Sequence, residues 1–155
     1  RYYLEKILYA ANRRFADMSA GQFELRMVDE ENAGKGKNRG LDLMVYSNVT
    51  GKEREVRTLS GGESFMAALA LALGMADQIQ ESSAAIHLDV MFVDEGFGSL
   101  DEHSREQAEK VLQELAGGSK LIGIISHVTE LKQEIEDQLI VSKDEKGSHV
   151  KWQIS

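Results

Sequence analysis

The sequence of 155 residues contains no cysteine, which excludes disulfides and thiolate metal sites and fits a reducing cytosol. It has no apolar run near the roughly 18 residues of a membrane-spanning helix. Nor does it open on a basic-then-apolar signal peptide. The expectation is a cytoplasmic protein with no membrane partner. Positive charge is scarce: 18 Lys and Arg stand against 26 Asp and Glu, for a net charge of −8. A broad basic nucleic-acid surface is therefore not expected on this chain, although a local basic patch is compatible with it. What remains is ordinary for a globular protein, with 42% hydrophobic and 28% charged residues. A chain of this length suits one domain and should bury roughly 70% of its unfolded surface.

Residues 1–20 predict a helix. Leu4, Leu8, Ala11, Phe15 and Met18 are spaced 4, 3, 4, 3, with Ile7 widening the stripe. Two readings stand: an amphipathic helix packed on its own domain, or the last turns of a longer coiled coil entering a globular head. The start at Arg1, inside this pattern and without a cap, favours a piece of a larger protein. Residues 22–28 and 41–46 alternate apolar and polar and predict strands. The polar, glycine-bearing stretch between them predicts a loop, in which Lys35, Lys37 and Arg39 could touch nucleic acid. Asn48 to Lys52 predicts a turn, and Glu55 to Thr58 a short extended segment.

Further on, residues 63–80 predict a helix apolar on most faces, and hence buried. Short apolar strands are expected at 88–93 and 121–125, helices at 102–116 and 128–136, and a closing hairpin at 138–143 and 148–153. Apolar strands alternating with helices imply a parallel sheet covered on both faces, with the hairpins forming an antiparallel sheet beside it.

Three clusters carry candidate chemistry. Ser60-Gly61-Gly62-Glu63 has the S-x-x-E form of a capping box at the mouth of the 63–80 helix. A cap suffices to explain Ser60 and Glu63. It does not explain two glycines, which suit an anion approaching the amides of a helix N-terminus. In VMFVDEGFGSLD (90–101), an apolar strand runs into Asp94 and Glu95, then Gly96, Gly98 and Asp101. This is either an acidic turn or a strand-end aspartate for magnesium beside a carboxylate able to activate water. His127 follows the strand at 121–125 and is either a capping residue or a site residue. Asp94, Glu95 and His127 all follow strand ends, so a parallel sheet would bring them to one crevice. His87, His103 and His149 read as surface residues, and no histidine pair has helical metal-ligand spacing.

Together, LSGGE (Leu59–Glu63), the strand ending in Asp94-Glu95, GSLD (Gly98–Asp101) and His127 stand in the order of an ABC-type ATPase. The longer strings LSGGESFMAALALALGMAD, FVDEGFGSLDE and IISHVTELK resemble the SbcC family. Its members are the ATPase subunits of SbcCD nucleases and are related to structural-maintenance-of-chromosomes (SMC) ATPases. The resemblance runs over residues 1–155 and is densest from 58 to 132. It implies an α/β fold: the C-terminal lobe of an ABC-type ATPase head over 21–155, mostly parallel sheet flanked by helices with antiparallel hairpins. The end of a coiled-coil helix, 1–20, would enter it.

A P-loop is missing. The Gly-Lys pairs end at Lys35, Lys37 and Lys52, and the next residues are Gly36, Asn38 and Glu53, never Ser or Thr. In the family that loop lies in the N-terminal half, beyond a long antiparallel coiled coil, so the resemblance is to the C-terminal half. It implies that Asp94 holds Mg2+, through water, together with that P-loop half. Glu95 would activate the hydrolytic water, and His127 would contact the γ-phosphate of ATP. Ser60, Gly61, Gly62 and Glu63 would face ATP held by a second head, and Gly98, Ser99, Leu100 and Asp101 would lie along the head–head interface. Further implied partners are an SbcD-like nuclease, docking near residues 1–20, and DNA. The chain alone is expected neither to bind ATP tightly nor to hydrolyse it, and to expose apolar surface. The alternatives are an SMC-like or other repair ATPase head without a nuclease partner, and a scaffold that no longer hydrolyses nucleotide.

Overall fold

The structure, a computed structural model, describes residues 2–28, 43–83, 87–118 and 120–154. Lys35, Lys37 and Arg39 lie outside the described residues.

Helix α1 (Tyr2–Met18) buries Leu8, Ala11, Phe15 and Met18, the heptad-spaced stripe. It lays them mainly on helix α2 (Gly61–Ser82). The two backbones approach closely: a Cβ added at Gly74 would lie 2.7 Å from both the Ile7 carbonyl oxygen and the Ala11 amide nitrogen. From Leu8 onward, the stripe is therefore spent on the domain's own core.

Strands β1 (Phe23–Met27), β2 (Leu43–Ser47) and β3 (Lys52–Glu55) form an antiparallel sheet in that order. Leu25 opposes Val45, and both are buried. Asn12 of α1 ties the free edge of β1 to the helix. Its amide donates to the Leu25 carbonyl at 2.9 Å and its side-chain oxygen accepts the Leu25 N–H at 2.8 Å. Phe15 and Phe23 stack across the same junction with centroids 5.9 Å apart. The extended segment expected at 55–58 falls earlier. The strand ends at Glu55, and Val56–Thr58 is a 3-10 turn closed by the Thr58 hydroxyl donating to the Glu55 carbonyl at 2.7 Å.

Strands β4 (Val90–Asp94) and β5 (Leu121–Ile125) are parallel neighbours joined through helix α3 (Glu102–Ala116). Their inner face, with Val93 buried and Met91, Ile122 and Ile124 packed beside it, closes on the core. Both faces were expected to be covered, but the outer one is open: Val90, Phe92, Leu121 and Ile125 are 50–70% exposed. The α2 helix shows the same departure. Its expected all-round burial holds on the α1 side, whereas Met75 and Ile79 face outward. The described elements leave these apolar residues uncovered. Helix α4 (Thr129–Glu134) is shorter than expected, and hairpin β6 (Gln138–Asp144) and β7 (Gly147–Gln153) ends the chain with Leu139, Val141, Val150 and Trp152 exposed.

Candidate functional site

Asp94 and Ile125 are the last paired residues of the parallel ladder, so both strands end at one edge. The Glu95 amide donates to the Ile125 carbonyl at 2.8 Å and carries the pairing one residue further. Glu95 then adopts φ 54°, a left-handed conformation uncommon for a side chain of its size, with an expected cost of about 1 kcal/mol or more. In that conformation its carboxylate meets the ring of His127 from the turn after β5. The Nδ1 atom lies 3.2 Å from Oε1 and 3.1 Å from Oε2. The Ser126 hydroxyl accepts the Val128 amide at 3.1 Å and sets the turn that presents His127. Glu95 and His127 are both well exposed, as is Asp94, whose carboxylate has no partner among the described residues.

Adjacent strand-end carboxylates fit a hard cation of the magnesium type, which keeps several waters and takes only one or two protein carboxylates. No group of three or more possible ligands forms a closed cage among the described residues.

The second cluster caps α2. The Ser60 hydroxyl accepts the Glu63 amide at 3.2 Å, and the Glu63 carboxylate accepts the Ser60 amide at 3.0 Å. Arg54 of β3 donates to the same carboxylate at 3.1 Å, fixing the cap to the antiparallel sheet. As an acceptor in the cap, Ser60 keeps its hydroxyl hydrogen available. The amides of Gly61 and Gly62, in the first turn, have no intrahelical acceptor. Ser60 and Gly61 are exposed, so this end can receive an anion.

Gly62 also has a reason inside the chain. A Cβ there would sit 2.6 Å from the Ser99 carbonyl oxygen and 3.4 Å from a Leu100 methyl. The turn after β4 therefore lies directly on the mouth of α2, and anion approach is not needed to explain glycine at 62. Within that turn, Gly98 and Ser99 are exposed. Leu100 is only 7% exposed, and its side chain belongs to the core, so an interface role carried over to it fits its backbone alone. Asp101 caps α3 by accepting the Ser104 amide at 2.7 Å. That hydrogen bond holds its carboxyl below the usual carboxylate range.

The structure thus gathers Asp94, Glu95 and His127 at one sheet edge, and packs Gly61 and Gly62 against Ser99 at the far end of the same turn. The family described as "SbcC/RAD50-like, Walker B motif" matches residues 13–114. The chain belongs to the SbcC/RAD50-like family. It is 48% identical over 148 residues to the SbcC component of the SbcCD nuclease of Treponema pallidum (strain Nichols), covering 96% of this chain and 14% of that protein. It is 50% identical over 145 residues to the Vibrio cholerae protein of the same name, covering 94% of this chain and again 14% of the relative. The chain therefore spans about one seventh of these SbcC relatives.

Solved SMC heads share the fold. One, from work titled "Structural biochemistry of ATP-driven dimerization and DNA stimulated activation of SMC ATPases", superposes with a TM-score of 0.69 at 20% identity over 96% of this chain and 83% of that one. The Smc head of Pyrococcus furiosus, bound to the C-terminal domain of ScpA, gives a TM-score of 0.68 at 21% identity, covering 97% of this chain and 35% of the other. The α/β ATPase-head lobe expected from the resemblance is thus observed, except that the sheet is not mostly parallel: among the described strands only β4 and β5 pair in parallel. His87, His103 and His149 are exposed, as expected of surface residues.

Three residues that support the sites or the core beneath them carried no signal in the sequence. Arg54 sits in an exposed charged strand, and nothing in its neighbours marks it as the partner of Glu63. Asn12 looks like one polar position on a helix. Phe65 reads as one more apolar residue of α2, yet it packs on Gly96.

Proposed function

We propose that this chain forms the C-terminal half of the ATP-binding head of an SbcC-type ATPase, completed by an N-terminal half that carries the P-loop. The observation that carries this reading is the Glu95–His127 pair beside Asp94, on a turn whose other end lies against Ser60–Gly62. ATP with Mg2+ would supply the scissile phosphoanhydride and the metal. Asp94 would hold the metal through water, Glu95 would take a proton from the attacking water, and His127 would orient Glu95 and donate to a γ-phosphate oxygen. Ser60, Gly61 and Gly62, at the capped end of α2, would face the nucleotide of a second head, with Glu63 holding the cap and Gly98–Asp101 along the head–head interface.

The open face of β4 and β5 supports a missing half. Parallel strands are normally covered on both sides, and here Phe92 is 70% exposed. In the whole protein, ATP would hold two heads together and hydrolysis would release them, controlling an SbcD-like nuclease on DNA in the cytoplasm. The relatives' name, which makes them part of an SbcCD nuclease, supports that partnership.

The test is ATP binding and hydrolysis by this chain, alone and mixed with the matching P-loop half. Turnover only in the mixture, and lost with Glu95→Gln, is the expected result. Turnover by the pure chain, or no ATP binding by a folded mixture, overturns the proposal.

A further inference from the structure

The cluster around Glu95 includes a contact that the roles above do not use. Phe65, in the second turn of α2, lays its ring on Gly96. A Cβ at Gly96 would overlap ring atoms Cδ2 and Cε2 of Phe65 and lie 2.9 Å from Cγ. Gly96 has φ 106° and directly follows Glu95, which has φ 54°. Glycine takes a positive φ without strain, so the cost falls on Glu95, whose left-handed conformation holds only where its surroundings enforce it. On one side the Glu95 amide is bound to Ile125, and on the other the Phe65 ring fills the space over Gly96. The ring is itself backed by Phe97, fully buried, at a centroid distance of 5.1 Å. The turn is closed by the Ser99 hydroxyl donating to the Gly96 carbonyl at 2.6 Å, and its far end rests on Gly62. Residues 95–100 are thus clipped at both ends to the start of α2.

The geometry points to Phe65 as the positioning residue that holds Glu95 in hydrolytic register and ties it to the capped end of α2. This rests on the ATPase reading above. Phe65 is the fifth residue of the helix that Ser60 caps, about 6 Å along its axis from the first, Gly61. A displacement at the phosphate-facing end is therefore delivered to the Glu95–Gly96 turn by a rigid element. In the proposed pair of heads, Ser60 faces one nucleotide and Glu95 the other, and Phe65 is the mechanical link between them. Without the ring, the Glu95 backbone relaxes toward a negative φ and the carboxylate swings away from His127.

The test uses the full-length protein. Three quantities are measured for wild type, Phe65→Ala, Phe65→Leu and Gly96→Ala: kcat for ATP, affinity for a fluorescent ATP analogue, and hydrogen exchange of the 95–99 peptide. Removing the ring should lower kcat about 10- to 100-fold, the scale of a misplaced catalytic group. Nucleotide affinity should stay within about twofold, because the binding groups lie elsewhere, and exchange at 95–99 should rise while the α1 peptide stays protected. Phe65→Leu, which keeps apolar bulk over Gly96, should recover most of kcat. Gly96→Ala, which drives a methyl into the ring, should repeat the loss from the other side of the contact. A kcat within twofold of wild type for Phe65→Ala overturns the proposal. So does a loss of kcat with unchanged exchange at 95–99. If the wild-type protein turned over no ATP, the ATPase reading would fail by itself, and unchanged exchange at 95–99 in Phe65→Ala would still overturn the positional link.

Discussion

The Nδ1 atom of His127 sits astride the carboxylate of Glu95, 3.1 and 3.2 Å from its two oxygens, although the residues are 32 positions apart. The parallel pairing of β4 with β5 brings them together, and the left-handed backbone at Glu95 aims the carboxylate. A water-activating base is worth roughly 10²- to 10⁴-fold in rate. In the head completed by its P-loop half, Glu95→Gln should reduce ATP turnover by at least about 100-fold while leaving nucleotide binding intact. His127→Asn should lower kcat by a smaller factor. Single-turnover hydrolysis beside equilibrium nucleotide binding separates the two, and a Glu95→Gln head that still turns over at more than a tenth of the wild-type rate would remove Glu95 as the base.

Gly74 lets α1 and α2 touch backbone to backbone. Gly74→Ala forces a methyl to within 2.7 Å of the Ile7 carbonyl oxygen and the Ala11 amide nitrogen, neither of which can rotate away. Helix propensity alone would favour alanine there. The clash should win, destabilising the chain by about 1–3 kcal/mol in a denaturant melt. A neutral or stabilising result would mean that the helices separate easily.

Asp101 links the chain's stability to pH. Its carboxyl is held low by the Ser104 amide, so the stabilisation is present in full above the ordinary carboxylate value of 3.8. It is lost as pH falls through the lowered folded value. The melting temperature of Asp101→Ala should therefore lie below wild type at pH 7, and the gap should narrow as the pH is taken below 3.8. A gap constant down to strongly acid pH would show that the charged carboxylate contributes nothing to the cap.

The exposed face of β4 and β5 should behave as an interface. Phe92→Ser removes a side chain that is 70% exposed, so it should change the melting temperature of the chain alone very little. It should weaken association with the P-loop half about tenfold or more, as loss of a central aromatic anchor does. Titration of the two halves by calorimetry reads both effects, and unchanged association would place the missing cover elsewhere.

Much of this architecture was legible from residue spacing. The 102–116 helix and the 121–125 strand match their expected bounds residue for residue, because apolar spacing and an unbroken apolar run mark them locally. The capping box at Ser60 was readable for the same reason, since all its atoms lie within four residues. The 55–58 segment was misplaced because an isolated tetrad such as Lys52–Glu55 carries no apolar alternation, and only pairing with β2 makes it a strand.

Which chemical groups the chain carries, and in what order, follows from the residues alone. Four motifs, each local, stand in the order of an ABC-type ATPase, and the longer strings around them carry the likeness to the SbcC/RAD50-like family. How those groups meet follows from the folded chain instead. The same 4-3 spacing serves a coiled-coil seam or a domain core, and the choice depends on α2 lying against α1 from Leu8 onward. Glycine at 62 suits an approaching anion or a neighbouring carbonyl, and the position of Ser99 supplies the second reason. Phe65 acquires a role only because Gly96, thirty-one residues later, turns beneath its ring. Contacts between distant segments depend on shape and backbone path, neither of which has a local signature in the order of residues.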